Sequence, residues 1–176
     1  MKMNDVSVDQ ALKDRFRASM RLAAASISLV TARDGSGNRH GMAVTSATSL
    51  SMDPLSMMVA VNRSASIHPV IAAGGTFCLN LMAEDHGAIL ERFSRSDMRE
   101  MRFATDDWSA GLHGLPVLRG ALASHLCTVV AAHEFGTHTV FFGQVDDVVL
   151  PGDDGQAAAP LVWLNGGRVS IHPHVA

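Results

Sequence analysis

At Ala25 the spacing of apolar residues changes, and that change limits the chain to a short list of folds. Before it, Val8, Leu12, Phe16, Met20 and Ala23 or Ala24 recur every three to four residues, with Lys13, Asp14, Arg17 and Arg21 between them. This spacing predicts an amphipathic helix over 7–25. Ser7 is its expected cap, and Asp9 and Gln10 fall in its first turn, where acceptors suit unpaired N–H groups. After Ala25 the chain breaks into short apolar runs separated by Gly, Asp, Asn and Pro, a strand-and-turn pattern.

The runs 26–32, 40–51, 55–62 and 76–82 read as strands, the second of them long and ended by Asp53-Pro54. Between the last two, 67–75 reads as a short helix capped by Ser66, with Pro69 in its first turn and Gly74-Gly75 at its exit. Asp85 opens a second helix over 86–95. The stretch 96–115 has no sustained period and is expected to be a long surface excursion. Residues 121–135 and 137–150 are two apolar runs around Gly136, a hairpin. A turn over 151–159 leads to short strands at 160–165 and 166–172. About seven strands joined by tight turns argue for one small barrel domain over 1–176 and against regular βαβ winding.

Composition narrows the partners. Nearly half of the 176 residues are apolar, enough for a core without disulfides or metal. A net charge of −3, with neither sign in a long run, gives no reason to expect nucleic acid or an anionic membrane. No apolar stretch approaches the roughly 20 residues of a membrane span, and the N-terminus lacks the order of an export signal, so a cytoplasmic protein is expected. Cys78 and Cys127 sit inside apolar runs, where a reduced thiol serves as a small hydrophobe.

Two polar segments stand out from the core pattern. Within Gly41–Ser51 the side chains of Thr45, Ser46, Thr48 and Ser49 are all short, so a flat ligand could approach the backbone closely; a solvated β face would carry the same residues. In 62–66, Asn62, Arg63, Ser64 and Ser66 lie between a strand and a helix, where a guanidinium, hydroxyls and helical N–H groups can hold a phosphate; Ser66 could equally be a plain cap. No GxGxxG, Walker, HExxH or GxSxG motif occurs, and no clustered Cys/His set suggests a metal. His172 and His174 lie at a terminus expected to fray.

In order and spacing, a set of landmarks resembles the short-chain flavin reductases, a family of the FMN-binding split-barrel fold. They are FRASM at Phe16–Met20, the block Gly41–Pro54, VNRSASIHPVI at Val61–Ile71, GTFCLNLM at Gly75–Met82 and MRF at Met101–Phe103. Trp108, Gly114–Cys127, GTHTVFFGQV at Gly136–Val145 and PLVWLNGGR at Pro160–Arg168 complete it. The resemblance implies a mainly β split barrel of Greek-key type with short flanking helices, and a homodimer. It also implies an enzyme that passes hydride from NADH or NADPH to FMN or FAD, commonly for a separate monooxygenase.

The same resemblance implies site residues. Thr45, Ser46, Ala47 and Thr48 would lie along the flavin ring and ribityl chain. Asn62, Arg63, Ser64 and Ser66 would approach the phosphate, and Phe77 and Asn80 would line or support the cleft. His138 would orient the nicotinamide, although a structural histidine is also expected at such a strand start. Trp163 stands where many members carry Tyr, which keeps stacking and removes a phenolic hydroxyl. Because the two cofactors carry the chemistry, no protein nucleophile is required. A non-catalytic FMN-binding module and an oxidase resembling those acting on pyridoxamine phosphate are the rival readings on this fold.

Overall fold

The computed structural model describes residues 3–151 and 158–171, with side chains from residue 9 onward. Helix α1 (Met3–Arg21) is followed by β1 (Ala25–Ser26), β2 (Ser28–Arg33), β3 (Arg39–Val44), β4 (Thr48–Met52) and β5 (Leu55–Asn62). Helix α2 (His68–Gly74), β6 (Thr76–Leu81) and α3 (Gly87–Ser94) come next, then the short pair β7 (Trp108–Ala110) and β8 (Pro116–Leu118). The long hairpin β9 (Ala123–Phe135) and β10 (His138–Val149) precedes β11 (Val162–Leu164) and β12 (Gly167–Val169).

Seven strands form one antiparallel sheet in the order β3, β2, β6, β9, β10, β5, β4. Six gaps of roughly 4.8 Å would hold the edges of a flat sheet about 29 Å apart. Yet the edge strands β3 and β4 are joined only by Thr45, Ser46 and Ala47, a link that reaches at most about 14 Å. The sheet must curl until its edges converge at that link, which makes a split barrel. Strands β1, β11 and β12 form a small sheet beside it.

Burial follows the strand period. From β2, Val30 and Ala32 point into the barrel with Val59, Val61, Phe77, Leu79 and Phe141, and Ile67 and Ile71 close that core around α2. Leu29 points outward, under Leu90 and Phe93 of α3 and beside Trp108. Both faces of β2 are therefore covered, which explains why its sequence is apolar without alternation. Strand β6 divides likewise: Cys78 faces Leu115, Val117 and Leu126 outside the barrel. Cys78 and Cys127 are buried free thiols, pushed up to about 12 by burial, and are inert as nucleophiles at neutral pH.

Several expectations change. The strand predicted over 40–51 is two strands, because the chain must cross between sheet edges at 45–47. Helix α1 starts at Met3 and ends at Arg21, which places Ser7 inside it. Ser66 caps nothing: the cap position of α2 is Ile67, 1% exposed, so packing of Ile67 and Ile71 into the barrel sets where the helix starts. His86, and not Asp85, holds the cap position of α3. Gly75 does end α2 as expected, with φ of 65° and its N–H on the Ile71 carbonyl.

The segment 96–115 is more than a surface excursion. Trp108 is buried and donates its indole N–H to the Arg102 carbonyl at 3.1 Å, and β7 pairs with β8. Residues 152–157 of the predicted turn, and His172 and His174, lie outside the described residues. No helix among the described residues is long and apolar enough to cross a membrane.

Candidate functional site

The link between β3 and β4 is the place where the sheet leaves backbone unpaired. Ser46 turns its hydroxyl inward, donating to the Ala60 carbonyl at 2.8 Å, and Ala47 packs on the barrel core. Thr45 and Thr48 remain exposed. Beside the link, Thr45, Ala43, Val44, Leu90, Ser94 and Trp163 border a cavity of about 190 Å³. That is below the ~300 Å³ usual for a small-molecule pocket, and the Trp163 ring at its rim is 37% exposed. An aromatic face and short polar side chains around a cleft open on one side suit a flat ring that stacks and bonds to backbone.

A second cluster gathers at the tip of the long hairpin. His138 stands opposite Asn62 in the β10–β5 ladder. Its ring is exposed, with Nδ1 at 2.9 Å from the Thr137 hydroxyl. The Asn62 side-chain oxygen accepts from the Ser64 N–H and from the Ser64 hydroxyl, each at 2.9 Å. Arg63 donates from Nη1 to Glu134 at 2.9 Å and from Nη2 to the Gly136 carbonyl at 2.7 Å, and its backbone N–H bonds Thr137 O. Arg63 thus commits two of its five guanidinium donors within the protein, where it straps the tip that carries His138.

Ser66 lies apart from these residues. It borders an enclosed pocket of about 150 Å³ together with Arg39, Arg99 and Arg102. None of these three arginines was expected from the sequence, although Arg102 belongs to the MRF landmark. Burial, and then the charge of Arg99, pull the Arg102 guanidinium below its ordinary value.

Phe77 and Asn80 are fully buried, so neither lines a cleft; both support from within. Phe77 fills the barrel core. The Asn80 oxygen accepts from Leu118 N–H and the Ser124 hydroxyl, each at 2.8 Å, and its amide donates to Leu29 O and the Thr31 hydroxyl, each at 3.2 Å. One side chain thereby ties β2, β8 and β9 to β6. No cluster of three metal-ligating side chains occurs among the described residues.

Residues 20–172 match the family model of the flavin reductase like domain. The chain belongs to that family. It is 33% identical over 165 residues to the FADH(2)-dependent resorcinol hydroxylase reductase component of Rhizobium sp. (strain MTP-10005), covering 93% of this chain and 90% of that one. It is also 33% identical over 164 residues to the FMN reductase (NADH) RutF of Variovorax paradoxus (strain S110), covering 92% and 88%. A solved structure of a nitrilotriacetate monooxygenase component B homolog from Mycobacterium thermoresistibile superposes with a TM-score of 0.85 at 28% identity, covering 93% of this chain and 89% of that one. The split barrel of the flavin reductase like proteins is therefore the fold of this chain.

Proposed function

We infer that the protein is an NAD(P)H:flavin oxidoreductase that reduces FMN or FAD for use by a separate monooxygenase component. The observation that carries this reading is the interrupted edge at 45–48, where short side chains leave backbone accessible beside an aromatic rim, in a chain of the flavin reductase like family. Relatives named as a hydroxylase reductase component and as an FMN reductase (NADH) support both halves of it.

When bound, the two cofactors supply the chemistry, a hydride passed from reduced nicotinamide to the flavin ring. The residues of this chain hold and align. Backbone N–H groups of Thr45 to Thr48 would hold the polar edge of the ring, where negative charge accumulates on reduction. Trp163 provides a stacking face, and Ser46 and Ala47 anchor the link to the barrel wall so that its position is fixed. His138, carried on the strapped hairpin tip, orients the nicotinamide as a hydrogen-bonding group and transfers no proton.

The active unit is a homodimer in this reading. Leu12, Phe16 and Met20 of α1 are more than half exposed, a stripe that water-facing helices do not normally present, and the cleft of a single chain is shallow. Light scattering is expected to give about twice the 18.7 kDa chain mass, and Phe16→Glu is expected to shift the protein toward monomer. A monomeric wild type would reject the dimer. Both thiols are buried and unpaired, in keeping with a cytoplasmic setting.

Oxidation of NADH and NADPH, followed at 340 nm with excess FMN or FAD, tests the activity. Flavin-dependent turnover is expected. Flavin binding without turnover would make the protein a non-catalytic binding module, and neither would reject the reading.

A further inference from the structure

We propose that Arg39, Arg99 and Arg102, together with the Ser66 hydroxyl, form a pocket for a phosphate group of the nucleotide substrate, an assignment that rests on the reductase reading above. Three positive charges converge on one cavity of about 150 Å³. Water occupies ~30 Å³ per molecule in the liquid, so the space is large enough for a phosphate group.

Among the described residues none of the three guanidinium groups pairs with a carboxylate. Asp34, reached through its neighbour His40, has its oxygens occupied by the N–H groups of Ser36 and Asn38, the Asn38 amide and the His40 ring. Arg102 feels the charge of Arg99, which helps to draw it below its ordinary value. Like charges held together without a counter-ion destabilise a fold unless something else places them there.

What places them is a set of neutral acceptors. Arg102 donates to four backbone carbonyls, those of Gly41, Arg92, Phe93 and Arg95, at 3.1 to 3.3 Å. Arg39 donates to the Phe103 carbonyl at 2.7 Å. Their guanidinium carbons lie over the rings of Phe93 and Phe103 at 5.5 and 5.1 Å, respectively. These contacts fix orientation and leave the charge in place. Each guanidinium has five N–H donors, so Arg39 keeps free donors and Arg102 keeps one, and the Arg99 side chain makes no hydrogen bond within the described residues. Gly41 lets both rings pack against β3, since a Cβ there would lie 2.7 Å from Phe93 and 3.2 Å from Phe103.

The pocket also stands at the right reach from the ring cleft. Strand β3 runs from Arg39 and Gly41 at the arginine pocket to Ala43 and Thr45 at the cleft bordered by Trp163. Two residues of strand separate Gly41 from Ala43, about 7 Å, a length that an extended ribityl chain spans. The flavin phosphate is one source of such a group, and the diphosphate or 2′-phosphate of the nicotinamide nucleotide is the other.

The Arg99 side chain is exposed and holds no hydrogen bond or ion pair among the described residues, so Arg99→Glu tests the pocket with little risk to folding. For wild type and variant, kcat/KM is measured with riboflavin, FMN and FAD, and KM with NADH and NADPH, at fixed salt. The expected result is a fall of roughly 10- to 150-fold in the FMN-to-riboflavin ratio, the loss of one charge-assisted contact. An unchanged flavin ratio with a weakened nicotinamide nucleotide would assign the same pocket to that second source. No change in either overturns the proposal. Inorganic pyrophosphate, titrated calorimetrically into wild type and Arg99→Glu, gives a readout independent of turnover: binding weakened by the variant supports the pocket, and equal binding or none rejects it. An absence of turnover with every flavin would reject the reductase reading alone, and the pyrophosphate titration would still decide the pocket.

Discussion

His138 and Asn62 are direct partners across the β10–β5 ladder, so the residue expected at the nicotinamide and the segment expected at the flavin phosphate meet at one end of the barrel. His138→Ala is expected to raise the KM for the nicotinamide nucleotide or lower kcat by roughly tenfold, the loss of one orienting hydrogen bond of about 1 to 2 kcal/mol. Flavin affinity should stay near wild type. Steady-state kinetics with each substrate varied, plus flavin titration by fluorescence quenching, separate the two effects. Equal loss of flavin binding, or unchanged kinetics in a folded variant, would remove the role.

Arg63 straps the tip that carries His138 through Glu134 and the Gly136 carbonyl. The ion pair is half exposed, and such pairs contribute about 0 to 1 kcal/mol. Arg63→Ala should therefore shift the urea midpoint little while disturbing nicotinamide kinetics a few-fold. The ratio of FMN to riboflavin affinity should be conserved, in contrast to Arg99→Glu. A selective loss of FMN binding would return Arg63 to the phosphate.

Asn80 carries a structural prediction. Its removal would orphan the Leu118 N–H and the Ser124 hydroxyl inside the protein, while the Thr31 hydroxyl keeps its bond to the Pro116 carbonyl, and each unsatisfied buried group costs about 1 to 3 kcal/mol. Asn80→Ala should lower stability by about 3 kcal/mol or more, measured by urea unfolding at pH 7.5. A loss under about 1 kcal/mol would show that water or repacking replaces the network.

The hairpin at 123–149 was legible because two long β-rich runs flank a glycine, and the helix at 87–94 because its apolar period is local. The break at 45–47 was not legible, since Thr, Ser and Ala are compatible with an uninterrupted strand and only sheet closure demands the crossing. Ser66 misled for a related reason: burial of Ile67 and Ile71, which no local pattern reveals, outweighs a side-chain cap. Segment 96–115 hid its order because part of that order rests on a distant partner, the Gly41 carbonyl that accepts from Arg102. At the site, Thr45 and Trp163 border one cleft. The arginine pocket escaped notice because Arg39 lies about sixty residues before Arg99 and Arg102 and meets them only when α3 packs on β3.

The pH dependence of stability follows from two histidines. His86 is 8% exposed and its Nδ1 accepts the Ala83 N–H at 3.1 Å, a bond that only an unprotonated Nδ1 can make. His125 has a buried Nδ1 with no partner among the described residues. Burial lowers both below the ordinary histidine value, in His86 against the opposing charges of Asp85 and Asp107. A lowered folded-state pKa means that the unfolded chain binds more protons on acidification. The stabilisation from keeping both rings neutral is therefore complete above the unfolded value near 6.5 and is lost as pH falls below it. Each ring can contribute a slope of up to about 1.4 kcal/mol per pH unit in that window. Urea unfolding at pH 7.5 and 5.5 should show a wild-type loss of about 1 to 3 kcal/mol, before the carboxylates titrate. His86→Gln retains an acceptor for Ala83, and with His125→Gln it removes both titrating rings, so the double variant should be nearly flat over the same interval. A double variant as steep as wild type would place the acid sensitivity elsewhere.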